Sequence, residues 1–367
     1  MQMSTDEAFA HIRKRPGMYL GSNGPHGVFM MVLEVVSNSF DQVIAGRASR
    51  IDVTIGSDRS VTIADDGLGI QLDAEHPDQV ETYFTSRRDV PTADGHWPHV
   101  HLSSGIGLGP ISALSAWVDV EVRRADGTYR QTFERGAKAS ELGRSAPRPD
   151  GVTGTIIQLL PDPVIFGDAQ LDPDLLAESL RELAHLEPGL VTTLAVGDRP
   201  TEVFGPVADL AALFRHTYAD ERSRTEPDPP MLLSAAGTDF AVDVALGWSR
   251  HRYKVAVRSY GNYRLTDEGG HHVDGIEEGL REVFGQGPMR DRNGLMAGLR
   301  AVVHVRLLDP KFPGPTRRRL ASPEAIWCVA DVIAQQLPAT LADHPELAAS
   351  LQMRCKTRTN PGYPDPW

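Results

Sequence analysis

The chain has 367 residues, a length that suits two domains of ordinary size. Hydrophobic residues make up 41% and charged residues 23%, so ordinary globular cores can be buried. The 37 basic and 49 acidic residues give a net charge of -12, which repels a phosphate backbone. No autonomous nucleic-acid binding is expected, and Arg317-Arg318-Arg319 is the best local exception. The two cysteines, Cys328 and Cys355, form no CxxC pair, which argues against a disulfide framework or a structural zinc site. Met1 to Arg15 has no apolar signal core, and no stretch reads as the roughly 20 apolar residues of a membrane span. A cytoplasmic protein with no membrane contact is the expectation.

In chain order, Phe29, Val32, Val36, Phe40 and Val43 recur at three- and four-residue spacing and predict a helix over Val28 to Ile44. Two alternating runs, Ile51 to Ile55 and Ser60 to Ala64, predict a β-hairpin. An apolar helix is expected over Ile111 to Trp117. Val118 to Arg123 and Tyr129 to Glu134 flank Asp126-Gly127, a favoured turn dipeptide, and predict a second hairpin. Ile156 to Leu160 reads as a strand. Asp172-Pro173 opens a helix with Leu176, Leu180 and Leu183 on one face, stopped by Pro188-Gly189. Ala219 to Pro230 is polar and proline-rich and reads as a loop near the start of a second unit. That unit has strand patterns at Phe240 to Leu246, Lys254 to Arg258 and Ala301 to Leu307. It has helices over Val273 to Phe284 and Pro323 to Leu337, and Lys356 to Trp367 reads as irregular.

Three features carry chemistry. Glu34, Asn38 and Asp41 stand at i, i+4 and i+7 and project from one face of the first long helix, lining either solvent or a pocket. The strand that follows runs into Asp65-Asp66-Gly67-Leu68-Gly69, where glycines let the backbone turn and approach a ligand. That acidic turn lacks the oxygen ligands of an EF-hand. Third, Ser103-Ser104-Gly105-Ile106-Gly107-Leu108-Gly109 precedes an apolar helix, an arrangement of free N–H groups that suits phosphate. It is neither a Walker A loop nor a Rossmann turn.

In this order, Glu34-x-x-x-Asn38, Asp65-x-Gly67-x-Gly69, Gly105-x-Gly107 and Thr153-Gly154-Thr155 resemble the GHKL ATPase fold. The words Arg13-Lys-Arg-Pro-Gly-Met-Tyr19, Glu268-Gly-Gly-His-His272 and Asp309-Pro-Lys-Phe312 extend the resemblance to the ATPase and transducer regions of gyrase B and its topoisomerase IV counterpart. The resemblance implies an α+β, two-domain fold. A GHKL (Bergerat) α/β sandwich would occupy 1–200 and a ribosomal-protein-S5-like transducer domain 201–340. A helix end and an irregular tail would follow over 341–367.

The same resemblance implies that ATP and Mg²⁺ are bound. Glu34 would be the general base toward the γ-phosphate, and Asn38 would hold Mg²⁺. Asp65 would accept from the adenine amino group, with Thr155 supporting it through a water. Gly105 and Gly107 would lie against the phosphates. Asp41, Gly67, Gly69, Ile70, Ile106, Leu108 and Gly109 would complete the ATP site, with Arg130 at its rim. Arg317 falls where the family has a pocket-reaching lysine and keeps the charge with a fork of donors.

Several positions depart from the family. Met30 replaces the histidine that orients the glutamate base, so slow hydrolysis is expected. Leu68 and Gln42 replace both ends of an arginine–glutamate pair, and losing both together leaves no single charge unpaired. Pro315 stands where a glutamine is usual. Only Met1 to Ile12 precedes the Arg-Lys-Arg-Pro-Gly word, which leaves a short arm for a homodimer. No Toprim-type Glu-Gly-Asp or Asp-x-Asp cluster is present, so no strand passage is expected from this chain alone. A lid is expected between Thr82 and His101, where His96, His99 and His101 read as exposed residues rather than a metal site.

The leading function is a stand-alone gyrase-B-like ATPase that hydrolyses ATP to ADP and phosphate without DNA cleavage. Two alternatives are phosphoryl transfer to a small-molecule or protein acceptor, and a low-turnover nucleotide-binding regulator that acts on a topoisomerase partner.

Overall fold

A computed structural model of the chain describes residues 5–72, 77–86, 102, 105–206, 209–219, 225–249, 254–285, 294–314 and 317–356. It divides into two units, Met1–Ala208 and Asp209–Trp367. The lid histidines (His96, His99, His101) lie outside the described residues, as do Ser103, Ser104 and Pro315.

Unit 1 opens with α1 (Thr5–Lys14), α2 (Gly17–Leu20) and α3 (Pro25–Ile44). The hairpin β1 (Arg50–Ile55) and β2 (Val61–Asp65) follows, then α4 (Gln79–Thr85) and α5 (Leu108–Leu114). Next come β3 (Ser115–Arg124), β4 (Gly127–Glu134), β5 (Ala137–Lys138), β6 (Gly143–Ser145) and β7 (Gly154–Pro161). The unit closes with α6 (Pro163–Phe166), α7 (Pro173–Leu186), β8 (Val191–Val196) and β9 (Glu202–Phe204). The strands form one sheet in the order β5-β4-β3-β7-β2-β1-β8-β9, with β6 beside β4. Among the described residues, only its β1–β8 pairing is parallel.

Helix α3 forms because Pro25 pre-sets the first turn and a long apolar run follows it. It is the core helix of the unit, with Val28, Val32, Val36, Phe40 and Val43 buried. Helix α7 begins where Asp172 accepts from the N–H groups of Asp174 (3.0 Å) and Leu175 (3.3 Å), the expected cap. The Arg-Lys-Arg-Pro-Gly word has a structural use. Arg13 donates to Ala113 O and to the buried Asp162 carboxylate, each at 2.6 Å, and fixes α1 to the end of α5 and the start of α6. Burial alone would raise the Asp162 pKa. Bonds from Arg13, the Val164 N–H and Arg135 outweigh it and hold the group below its ordinary value.

Unit 2 contains α8 (Leu210–Thr217), β10 (Thr225–Ala236), β11 (Phe240–Ser249), β12 (Ala256–Gly261) and β13 (Arg264–Leu265). These lead into α9 (His271–Phe284), β14 (Leu299–Leu307), α10 (Glu324–Ala342) and α11 (Pro345–Lys356). The sheet order is β10-β11-β14-β12-β13. Trp248, Ile276, Leu280, Val303 and Ile333 belong to the core between this sheet and the helices. Gly275 and Gly279 let α9 lie close on α10. A Cβ at Gly275 would stand 2.6 Å from Ile326 O, and one at Gly279 would stand 2.7 Å from the Ile333 Cβ.

Four expectations need correction. The helix expected through Trp117 stops at Leu114, because Ser115 to Trp117 are drawn into pairing with β7. Thr225 to Pro230, expected as loop, lies in β10. This edge strand tolerates prolines because its register breaks between Glu226 and Met231. The last predicted helix runs past Leu337 to Ala342 with Pro338 on its exposed side, and a further helix, α11, seats Leu351 in the core. Helices α3 and α10 are both long and apolar enough by composition to cross a membrane, although the α3 window is 72% buried.

His272, the end of the Glu268-Gly-Gly-His-His word, is buried in the first turn of α9, 3.0 Å from the Thr266 hydroxyl. Burial, then the nearby His271 and Arg319, push its pKa down to about 3, and burial pushes His304 well below its ordinary value. Both rings fold neutral. Their stabilisation is present above the unfolded value of 6.5 and is lost as pH falls toward about 3. The unfolding midpoint should therefore drop between those pH values, and His272→Gln should flatten the slope by about one proton. An unchanged slope in that variant would contradict the assignment.

Candidate functional site

Strand β2 ends on Asp65, which is 8% exposed and points into unit 1 beneath α3. Its Oδ1 accepts from the Gly67 N–H (3.0 Å) and the Thr155 N–H (3.2 Å), and its Oδ2 accepts from the Ser39 hydroxyl (2.9 Å). Burial is the largest influence on this carboxyl and pushes its pKa up to about 6 against those three bonds. The close fit depends on glycine. Gly154 sits at φ +141, and a Cβ there would meet Asp65 O at 1.9 Å. Gly67 packs on Gln42, and Gly69, at φ +75, lies under Arg123 O. Thr155 is thus tied to Asp65 through its backbone.

One helix face above this floor carries Glu34, Asn38 and Asp41, the last two half-buried. The Glu34 carboxylate is 6% exposed and accepts from the Gly105 N–H at Oε2 (3.1 Å) and the Gly107 N–H at Oε1 (2.8 Å). Gly105 and Gly107 stand at φ +67 and +81, a left-handed backbone that glycine adopts freely. Within the glycine-rich stretch, Gly105 and Gly107 are the described residues whose amides meet Glu34. Leu108 and Gly109 are buried in α5, where a Cβ on Gly109 would strike Ser86 O at 1.8 Å. Ile106, between Gly105 and Gly107, is half-buried. Met30 is fully packed in the core, and Leu68 is 56% exposed at the turn.

One basic residue lies elsewhere than the resemblance implies. Arg130 shares a cross-strand row with Glu121, Ile156 and Ala64, one residue out of step with Asp65 and Thr155. Side chains alternate across a strand, so Arg130 projects from the opposite face of the sheet and pairs with Glu121 at 2.5 Å. The arginine that meets the Asp65 turn is Arg124, whose Nη1 donates to Ile70 O at 3.0 Å. Its signal is its position at the strand end before Asp126-Gly127. Ser39 was also missed, although a serine inside an apolar helix beside Asn38 asks for a buried partner. Arg317 is half-buried at φ +52 and belongs to unit 2, the unit in which the resemblance expects it. Among the described residues no three His, Cys, Asp or Glu side chains gather as a metal site.

This pairing of a sheet of nine described strands under α3 with a buried aspartate and a glycine-bound glutamate defines a GHKL-type ATPase fold. Residues 213–360 match the family model described as DNA gyrase B. The chain is 31% identical over 94% of its length to the DNA gyrase B protein of Clostridium acetobutylicum, covering 56% of that protein. It is 31% identical to the gyrase B protein of Synechocystis, covering 95% of this chain and 34% of the relative. The 43K ATPase domain of Thermus thermophilus gyrase B, solved in complex with an aminocoumarin, superposes with a TM-score of 0.77 at 28% identity, covering 95% of this chain and 93% of that one. The gyrase B protein of Myxococcus xanthus gives 0.76 at 22% identity, covering 94% and 98%. The chain carries a gyrase-B-like ATPase region. It spans about half the length of the first of these curated relatives and a third of the second.

The raised Asp65 pKa sets a stability test. The stabilisation linked to this group is complete below 3.8 and lost as pH rises through about 6, so ionised Asp65 weakens the fold at neutral pH. An asparagine keeps the acceptor for Gly67 and Thr155 without the charge. Asp65→Asn should therefore be more stable than the parent above about pH 7, by up to about 3 kcal/mol, and no more stable near pH 4. Urea unfolding at both values checks this, and a less stable variant above pH 7 would contradict it.

Proposed function

We propose that unit 1 binds Mg-ATP, with the adenine against Asp65 and the phosphates against Gly105 to Gly107. Glu34 then directs a water onto the γ-phosphate, giving ADP and phosphate without DNA cleavage by this chain. The observation that carries this reading is the Glu34 carboxylate held by two glycine amides on the helix that also covers Asp65. Ionised Asp65 has acceptor capacity left for an amino group of the base. Incoming phosphate oxygens compete for the Gly105 and Gly107 N–H groups. Their capture would free Glu34 to take the proton of an attacking water.

Asn38 offers one neutral oxygen ligand on the same face, which fits a Mg²⁺ that keeps phosphate and water ligands. When bound, the metal neutralises charge on the phosphate oxygens. Arg124 takes the place of Arg130 at the rim, Arg317 keeps its role at the γ-phosphate, and pairing of two chains belongs to the same proposal. Met30 favours a second reading, a low-turnover nucleotide-bound regulator, because a packed thioether cannot orient Glu34 as an imidazole would.

Nucleotide binding and phosphate release test both readings. The parent should bind ATP and release phosphate. Glu34→Ala should bind within about threefold and lose turnover by about 100-fold. Arg317→Ala should turn over roughly tenfold more slowly or worse. ATP binding without release, unaltered by Glu34→Ala, would establish the regulator instead. Absence of ATP binding would overturn both.

A further inference from the structure

A second cavity opens in unit 1 at the far end of the sheet from Asp65. Ile55, the last residue of β1, pairs with Val61, whereas Asp65 pairs with Ile51. Four residues of strand, about 13 Å, separate the two positions. Ile55 lies there with Val196 at the end of β8, Val28 from the first turn of α3 and Phe166 from α6. These side chains help line a cavity of about 270 Å³.

The cavity lining combines apolar and basic residues. Arg59 and Arg199 line it, and no aspartate or glutamate among the described residues does. Asp58 stands beside the lining residue Gly56 with its carboxylate bonded to the Ser60 hydroxyl, so the two guanidiniums are the charged groups of the lining itself. Arg59 sits in the β1–β2 turn at φ +72, a conformation that glycine or asparagine adopts more readily. Its Nη1 donates to Gly167 O at 3.1 Å, which holds the guanidinium at the cavity. The carboxylate near it is Asp168, 3.8 Å away and fully exposed, a loose surface pair that a ligand can displace. Arg199, in the turn after β8, makes no side-chain hydrogen bond or ion pair among the described residues.

The geometry points to a binding site for a small organic monocarboxylate with an apolar body. A guanidinium fork pairs with a carboxylate through parallel N–H donors. Val28, Ile55, Phe166 and Val196 supply the surface that an aryl or branched alkyl group would cover. Inorganic phosphate would leave that surface bare. The volume lies just under the usual range for ligand pockets and accommodates roughly a dozen non-hydrogen atoms, too few for a nucleotide. The site is separate from the Asp65 pocket, so it stands whether or not ATP is bound there.

Calorimetric titration of the full chain with 3-phenylpropionate and its primary amide tests the site. The acid should bind saturably and the amide at least about tenfold more weakly, the value of one charge-assisted contact. Arg59→Ala and Arg199→Ala should each weaken the acid by about tenfold. Both residues are solvent-accessible, so circular dichroism should report intact folds. Asp65→Asn should leave the affinity unchanged. Equal binding of acid and amide, no saturable binding of the acid, indifference to both arginine variants, or loss in Asp65→Asn would each overturn the proposal.

Discussion

Keeping a carboxylate ionised beneath a helix is the constraint around which unit 1 is arranged. Asp65 ends a buried strand where burial alone favours its neutral form, and three donors oppose that tendency. Each donor comes from a different part of the chain: Ser39 from α3, Gly67 from the turn and Thr155 from β7. The β2–β7 register must hold for Thr155 to arrive, and a side chain at 154 would force the strands apart. A single buried charge thereby couples helix, turn and sheet. Such a charge weakens a fold at neutral pH, and it persists where recognition uses it.

The second carboxylate follows the opposite logic. Glu34 lies on the helix that covers Asp65 and accepts from two amides of a loop. Loop amides can be given up to a competing anion, whereas the donors to Asp65 are built into the core helix, the turn and the sheet. One carboxylate is fixed and the other is exchangeable, a division suited to recognition at one end of a ligand and chemistry at the other.

Much of this was legible locally. The apolar spacing of α3 put Glu34, Asn38 and Asp41 on one face, and alternation in β1 and β2 brought Asp65 to a strand end. The contacts among these residues were not legible, because Ser39 and Asp65 are 26 positions apart and Glu34 and Gly107 are 73 apart. No period or propensity encodes such distances. Arg130 illustrates the failure most directly. Its identity suited a pocket rim, but a one-residue difference in strand phase sends it to the other face, and Arg124 meets the turn instead. In β10, prolines that normally break a strand are absorbed by a register shift at a sheet edge, which only the partner strand reveals.

A crystal structure of the chain with a non-hydrolysable ATP analogue and Mg²⁺ tests the account most directly. The adenine amino group should lie within hydrogen-bonding distance of the Asp65 carboxylate. The Gly105 and Gly107 N–H groups should have turned from Glu34 to phosphate oxygens. An analogue bound elsewhere, or phosphates bound while both amides still point at Glu34, would contradict it.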